Sequence, residues 1–204
     1  MTIIPVNVYA ESTPNPAAMK FVSSVMLMPD GSVEFGNAAE CGSSPLARQL
    51  FSFSGVKGVF ISSNFITVTK EGDIDWYEIT GIIREFIRGY LMSGEKVFTS
   101  DPFKDRKDPQ AIAAEVVNAP AGSNGDQTHV ESEIIKLLEE YVRPAVEQDG
   151  GAIHFRSFQD GVVTVALKGS CSGCPSSTLT LKSGIENLLK RMLPEVTEVV
   201  AEAE

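Results

Sequence analysis

Cys171 and Cys174 are the residues whose type and spacing carry the most chemistry. They lie in the run Gly169-Ser170-Cys171-Ser172-Gly173-Cys174-Pro175. A C-x-x-C spacing lets two sulfurs converge on one point. Gly173 permits the tight turn this needs, and Ser172 is small. Pro175 fits the first position of a helix, where its missing N–H costs nothing. That places Cys174 at the N-cap, where free N–H groups and the positive end of the helix dipole favour a thiolate. Lys168, three residues before Cys171, adds positive charge, and Ser176, Ser177 and Thr178 supply hydroxyl donors. Everything local favours deprotonated sulfur.

Three readings of such a pair stay open on spacing alone. The first is metal or cluster ligation. Zinc and iron–sulfur clusters typically take four protein ligands, with sulfur common. This chain offers two adjacent ones, and its remaining thiol, Cys41, lies far away in sequence. The arithmetic points to two chains, each giving Cys171 and Cys174 to one site on a twofold axis. The second reading is thiol–disulfide exchange, since a strand entering C-x-x-C at a helix start is also the thioredoxin-like arrangement. Against it, this segment opens with a helix, has no Trp before Cys171, and has no later Pro placed to face the pair. The third reading is inert: two small buried residues in a turn. A zinc-clipped dimer is a structural variant of the first.

The other chemistry-bearing residues point to ordinary roles. Cys41, in Glu40-Cys41-Gly42-Ser43-Ser44, has no nearby His and reads as a partly buried thiol. His129 precedes a helix and reads as a solvated terminal residue. His154 sits on a strand beside Arg156; packing outweighs ligation there, although it is the best local outsider for a ligand. Glu139-Glu140 reads as a solvated helix face, and Asp149 before two glycines as a turn residue. No phosphate-cradling glycine loop, paired-carboxylate site or Ser/His/Asp arrangement stands out.

Two sets of elements must position these residues, and the fold class expected is α+β. In residues 1–93, strands are expected over Ile3–Tyr9, Met19–Val25 and Ser32–Phe35, with the Pro-broken loop Glu11-Ser12-Thr13-Pro14-Asn15-Pro16 between the first two. That loop reads as rigid, ahead of a partner-docking surface. Ser44–Phe53 has a helical apolar side (Leu46, Leu50, Phe51) with Ser44-Pro45 at its start. Val56–Ser63 and Phe65–Lys70 flank Asn64 as a β-branched hairpin. Asp75–Met92 is a long amphipathic helix, with Trp76, Ile79, Ile82, Ile83, Phe86, Ile87, Tyr90 and Leu91 at helical spacing and Asp75 as N-cap.

Residues 129–204 read as helix, strand, strand, helix, strand. Thr128-His129-Val130-Glu131 fits a capping box. Ile134, Leu137, Leu138, Tyr141 and Val142 make the stripe that follows, and Pro144 kinks or ends that helix. After the turn Asp149-Gly150-Gly151 come Ala152–Phe158 and Val162–Lys168, joined through Gln159-Asp160-Gly161. Val163, Val165 and Leu167 form the buried set. The helix after Cys174 carries Leu181, Ile185, Leu188, Leu189 and Met192 and stops at Pro194. Val196–Ala201 is the last strand.

Residues 94–128 join the two. Pro102, Pro109 and Pro120 punctuate them, and the small polar end from Ala119 to Thr128 cannot bury enough apolar area to offset ordering. They read as a flexible linker that lets the cysteine-bearing half move. A short helix from Pro109 to Val117 fits within it, and as flexible chain the stretch reaches roughly 30 Å.

Composition sets the outer bounds. The chain has 204 residues, 17 Lys+Arg against 27 Asp+Glu and a net charge of −10. Both halves are acidic, with 10 basic and 15 acidic residues in 1–128 and 7 and 12 in 129–204. This excludes a nucleic-acid-coating protein and a polybasic membrane anchor. No apolar run approaches the roughly 20 residues of a spanning helix. Three cysteines are no disulfide framework, so a reducing interior is expected. The N-terminus lacks a secretory or Arg-rich transit pattern, which suggests a bacterial cytoplasmic protein; a processed mitochondrial form would look the same.

Val142-Arg143-Pro144 through Gln148-Asp149-Gly150-Gly151, the strand pair and Gly169 to Ser177 closely resemble the Nfu domain, the C-terminal module of NifU-type iron–sulfur scaffold proteins. The first half resembles the N-terminal domain of mitochondrial-type Nfu proteins and their bacterial relatives. It does so through Glu11 to Pro16 with Met19-Lys20-Phe21, and through Gly55-Val56 to Phe60 with Phe65 to Lys70. The resemblance covers nearly the whole chain except the linker. It implies a non-enzymatic carrier or late scaffold for 4Fe–4S clusters, each bridged between two subunits by Cys171 and Cys174. Apo iron–sulfur proteins would be the acceptors, and upstream cluster-assembly machinery the donor. NifU's own N-terminal assembly domain has no counterpart here, and neither has a degenerate A-type carrier domain, so assembly with a cysteine desulfurase is not implied. The Pro-rich loop and long helix of the first half are expected to dock targets or partners.

Overall fold

The computed structural model describes residues 5–72, 74–103, 125–172 and 175–203. Two sheets carry two separate cores. In the first sheet β1 (Val8–Ser12), β2 (Ala18–Ser23), β3 (Met28–Phe35), β4 (Val56–Ser63) and β5 (Phe65–Lys70) lie in the order β1-β2-β5-β4-β3. All neighbouring pairs are antiparallel. Side chains on a strand alternate between faces. One face sends Phe21, Val33, Phe35, Val59, Ile61, Ile66 and Val68 into a core shared with two helices. These are α1 (Pro45–Leu50) and α2 (Trp76–Ser93), which contribute Leu46, Leu50, Ile83 and Ile87.

The opposite face is also covered. Lys20, Val22, Ser32, Phe60, Ser62, Phe65 and Thr67 alternate with the core residues and are buried. Val22, Phe60 and Phe65 form a small apolar cluster with Ala152 of the other half. A sheet buried on both faces loses the clean in–out alternation, and the apolar run Val59-Phe60-Ile61 carries that signal.

The β4–β5 hairpin has the expected bounds, and Asp75 caps α2, accepting from the Tyr77 N–H at 2.9 Å. Other expectations need correction. β1 begins at Val8, five residues later than expected, and runs through Glu11 and Ser12. Residues 1–4 lie outside the described residues. Its register against β2, Val8↔Ser23 to Ser12↔Met19, is closed by the turn at Asn15, whose side chain accepts from the Ala17 N–H. Turn geometry thus outweighs hydrophobicity in placing the strand. α1 ends at Leu50 and not Phe53, and a 3-10 turn, Ala38–Ser43, precedes it. β3 starts at Met28 and carries an irregularity before Ser32. Ile82 is 58% exposed, on the flank of α2 and not in its core stripe.

In the second half α3 (Gly125–Leu137) passes through a π turn, Leu138–Val142, into α4 (Arg143–Gln148). The helix therefore starts before Thr128, which is not its cap, and it does not end at Pro144. Proline lacks the N–H for the i−4 carbonyl and its ring crowds that carbonyl; the π turn just ahead absorbs the mismatch. The same wider turn moves Tyr141 off the apolar stripe, where it is half exposed. β6 (Gly151–Gln159) and β7 (Val162–Gly169) form the hairpin, with Asp160 and Gly161 both at positive φ as a tight two-residue turn requires. α5 (Pro175–Met192) then crosses to β8 (Glu198–Ala203), which lies parallel to β7. Val196, expected at the strand start, is buried in the turn before it, and Met192 is half exposed. The core collects Ile134, Leu138, Val142, Val146, Val163, Val165, Leu167, Ile185, Leu189 and Val199.

Residues 94–103, expected within the linker, pack on the first core through Val97, Phe98 and Phe103. The expected helix Pro109–Val117 lies outside the described residues. Among the described residues no helix is long and apolar enough to cross a membrane.

Candidate functional site

β7 carries the chain to Gly169, and the next residues fold back on the turn after α4. The Ser170 N–H donates to the Gly150 carbonyl at 3.2 Å, and the Ser172 N–H to the Gly169 carbonyl at 3.1 Å. The Ser170 hydroxyl donates to the Asp149 carbonyl and lies 3.8 Å from the Cys171 Sγ. Cys171 itself is only 5% exposed and packs in the second core. Its Sγ rests against Gly151, where a Cβ would fall 2.8 Å from that sulfur and 2.6 Å from the Lys168 carbonyl oxygen. Any larger residue at 151 would push the thiol from its place. Gly150 has φ +82°, which glycine adopts without strain.

The outer face of the first sheet closes over this loop. The Thr67 hydroxyl donates to the Gly150 carbonyl at 2.7 Å, in a buried hydrogen bond. The Asn15 amide donates to the Ser170 carbonyl at 3.1 Å. The Gly169 N–H donates to one Glu34 carboxylate oxygen at 3.0 Å, while the other lies 3.5 Å from the Ser172 hydroxyl. The Lys20 ammonium donates to the Gln148 carbonyl at 3.2 Å, pairs with Glu11 at 3.3 Å and lies over the Phe65 ring. Ser32 Oγ and His154 Nε2 are 3.0 Å apart. A neutral hydrogen bond contributes about 0.5–1.5 kcal/mol net, and one to a charged group more, so the Glu34 and Lys20 contacts carry much of the seam.

Of the two predicted cysteines, Cys171 stands in this loop; Cys174 lies outside the described residues. Cys41 is fully buried in the first core, donating to the Asn37 carbonyl at 3.4 Å, and burial pushes its thiol up to about 11. It lies in a different core from Cys171. His129 is exposed on α3, and His154 faces Ser32 across the seam. Asp149 closes α4 as its C-cap. Among the described residues no three His, Cys, Asp or Glu side chains are grouped to hold a metal ion.

Sequence reasoning passes over Asn15, Glu34 and Thr67. Asn15 belongs to the Pro-broken loop, which docks on this chain's own cysteine loop. A signal for the other two exists: Glu34 alternates with the core residues Val33 and Phe35, and Thr67 with Ile66 and Val68. That places both on the second, covered face of the sheet.

The family description "Scaffold protein Nfu/NifU N terminal" matches residues 8–94, and "NifU-like domain" matches residues 134–200. A human protein, NFU1 iron-sulfur cluster scaffold homolog, mitochondrial, is 38% identical over 193 residues, covering 94% of this chain and 70% of that protein. NifU-like protein 4, mitochondrial, of Arabidopsis thaliana is 38% identical over 197 residues, covering 96% of this chain and 65% of that one. A solution structure of a NifU-like protein from Saccharomyces cerevisiae aligns at TM-score 0.43 and 29% identity, covering 47% of this chain and 87% of the other. The chain therefore belongs to the Nfu family and carries that family's N-terminal and NifU-like domains in order.

Proposed function

We propose that the protein is a non-enzymatic carrier of iron–sulfur clusters. Its cargo is a 4Fe–4S cluster held between two copies of the chain by Cys171 and Cys174 of each, and passed to apo iron–sulfur proteins. The observation that carries this reading is the C-x-x-C spacing of Cys171 and Cys174, in the sequence between the end of β7 and the start of α5, in a chain whose third thiol is sealed in another core. Two thiolates per chain are half of a four-thiolate ligand set, and a twofold axis supplies the other half. A cluster bound by four thiolates is anionic, and two helix N-termini directed at it offset part of that charge. Each chain holds half of the ligands, so the cluster leaves more readily than one enclosed by a single chain. The working compartment is a reducing one, and the donor is upstream assembly machinery. Residues 1–93 and 129–204 act as the two domains, joined through 94–128.

Anaerobic reconstitution with iron and sulfide tests this. The wild type and Cys41→Ser should retain cluster, while Cys171→Ser and Cys174→Ser should retain none. Retention by either of the latter two would contradict the ligand assignment. Uptake of zinc in place of iron from anaerobic, iron-replete cells would favour a zinc-clipped dimer. Insulin reduction with no iron uptake would favour a thiol–disulfide oxidoreductase.

A further inference from the structure

We propose that the outer face of the first sheet is a built-in cap on the cysteine loop. Docked, it holds the loop in the form that buries Cys171 in its own core, and it must leave before two copies can share a cluster. This rests on the reading of Cys171 as a cluster ligand and concerns how that ligand is released.

Three observations converge. Cys171 is 5% exposed and packs in its own domain's core, so the loop that carries it must rearrange before its sulfur reaches an iron held jointly with a second chain. The loop around it is held from outside its own domain at three points, through Thr67 on Gly150, Asn15 on Ser170 and Glu34 on Gly169. Finally, the group facing the loop is an anion. Glu34 takes the Gly169 N–H, a donor otherwise available to a thiolate or a cluster sulfide, and lies 3.5 Å from the Ser172 hydroxyl, which donates to the Gly169 carbonyl at 2.9 Å. An anionic cluster and the Glu34 carboxylate therefore compete for that N–H, and each repels the other.

The sheet face is shaped for this occupant. Val22, Phe60 and Phe65 would form an apolar patch if bared, and Ala152, just past the glycine turn, covers it. Gly150 lets the backbone approach: a Cβ there would lie 2.9 Å from the Thr67 hydroxyl oxygen. The cap is thus built from both halves of the chain, and cluster loading is linked to undocking in the sense of a population shift.

Site-resolved alkylation of the full-length, metal-free protein tests the cap. Peptide mass mapping reads Cys171 and Cys41 separately, and Cys41 serves as an internal check of the fold. Glu34→Lys and Thr67→Val should each raise the Cys171 labelling rate about tenfold, the factor that ~1.4 kcal/mol of lost docking energy gives. Cys41 labelling should stay unchanged in both. In parallel, both variants should load iron and sulfide faster than wild type. Equal Cys171 labelling in wild type and both variants, with Cys41 still protected, would overturn the cap even if all three load cluster. Faster labelling with no cluster in any of the three would support the cap and remove the carrier reading instead.

Discussion

Cys41 and Cys171 are both buried thiols, and the manner of their burial separates them. Cys41 is sealed by a single core. The 3-10 turn Ala38–Ser43 holds its backbone, the Arg48 guanidinium donates to its carbonyl at 3.3 Å, and its sulfur donates to the Asn37 carbonyl. Exposing it requires unfolding that core. The loop that carries Cys171 sits at a seam. Its own domain supplies the strand end and the glycine turn, and the other domain supplies Asn15, Glu34 and Thr67. The Cys171 sulfur packs in its own domain's core while the loop that carries it is pinned from the other domain, so exposing it asks for release of those pins and a local rearrangement of the loop. Low exposure thus means permanence at one site and gating at the other, and the partners rather than the percentage distinguish them.

The glycines beside the two thiols give the largest expected contrast. Gly151→Val places side-chain atoms where the Cys171 Sγ and Lys168 carbonyl already are, and should cost about 1–3 kcal/mol, read as a lower thermal midpoint. Gly42→Ala, next to Cys41, meets nothing within 4 Å and should change stability by less than about 0.5 kcal/mol. Equal effects at the two glycines would break the contrast. Thr67→Val should come next. It leaves the Gly150 carbonyl without its buried donor, at a cost of about 1–3 kcal/mol if the seam stays closed. If the seam opens instead, water satisfies the carbonyl, the cost shrinks, and Cys171 labels faster.

The smallest effect is a pH dependence at Cys41. Burial raises its thiol from 9.0 to about 11; the Arg48 charge opposes the shift and the Glu40 charge adds to it. A folded pKa above the unfolded one gives a contribution fully present below pH 9 and lost as pH rises through about 11. Denaturant midpoints should therefore fall more steeply across that window in wild type than in Cys41→Ala. Identical profiles would show that the Cys41 environment is more open than its burial indicates.

Much of the fold is legible in local residue patterns. Asn64 between two β-branched runs, Asp75 before the α2 stripe and Asp160-Gly161 between β6 and β7 each determine their own surroundings, so they read correctly without tertiary knowledge. The misreadings share a cause. Pro144 reads as a helix end because a π turn that accommodates it leaves no mark in composition. Tyr141, Ile82 and Met192 have helical spacing but fall on flanks or ends, which only the packing partner decides. The cysteine spacing marks the candidate site, yet Asn15, Glu34 and Thr67 reach it across 155, 135 and 83 residues of sequence. Their role is written in the second face of a sheet, and a strand buried on both sides reads as merely hydrophobic.

The mass of the reconstituted protein under native, anaerobic conditions tests the central claim most directly. One cluster per pair of chains, in a dimer that reverts to monomer when the cluster is removed, is the result this account predicts. A full cluster retained on a monomer would contradict it.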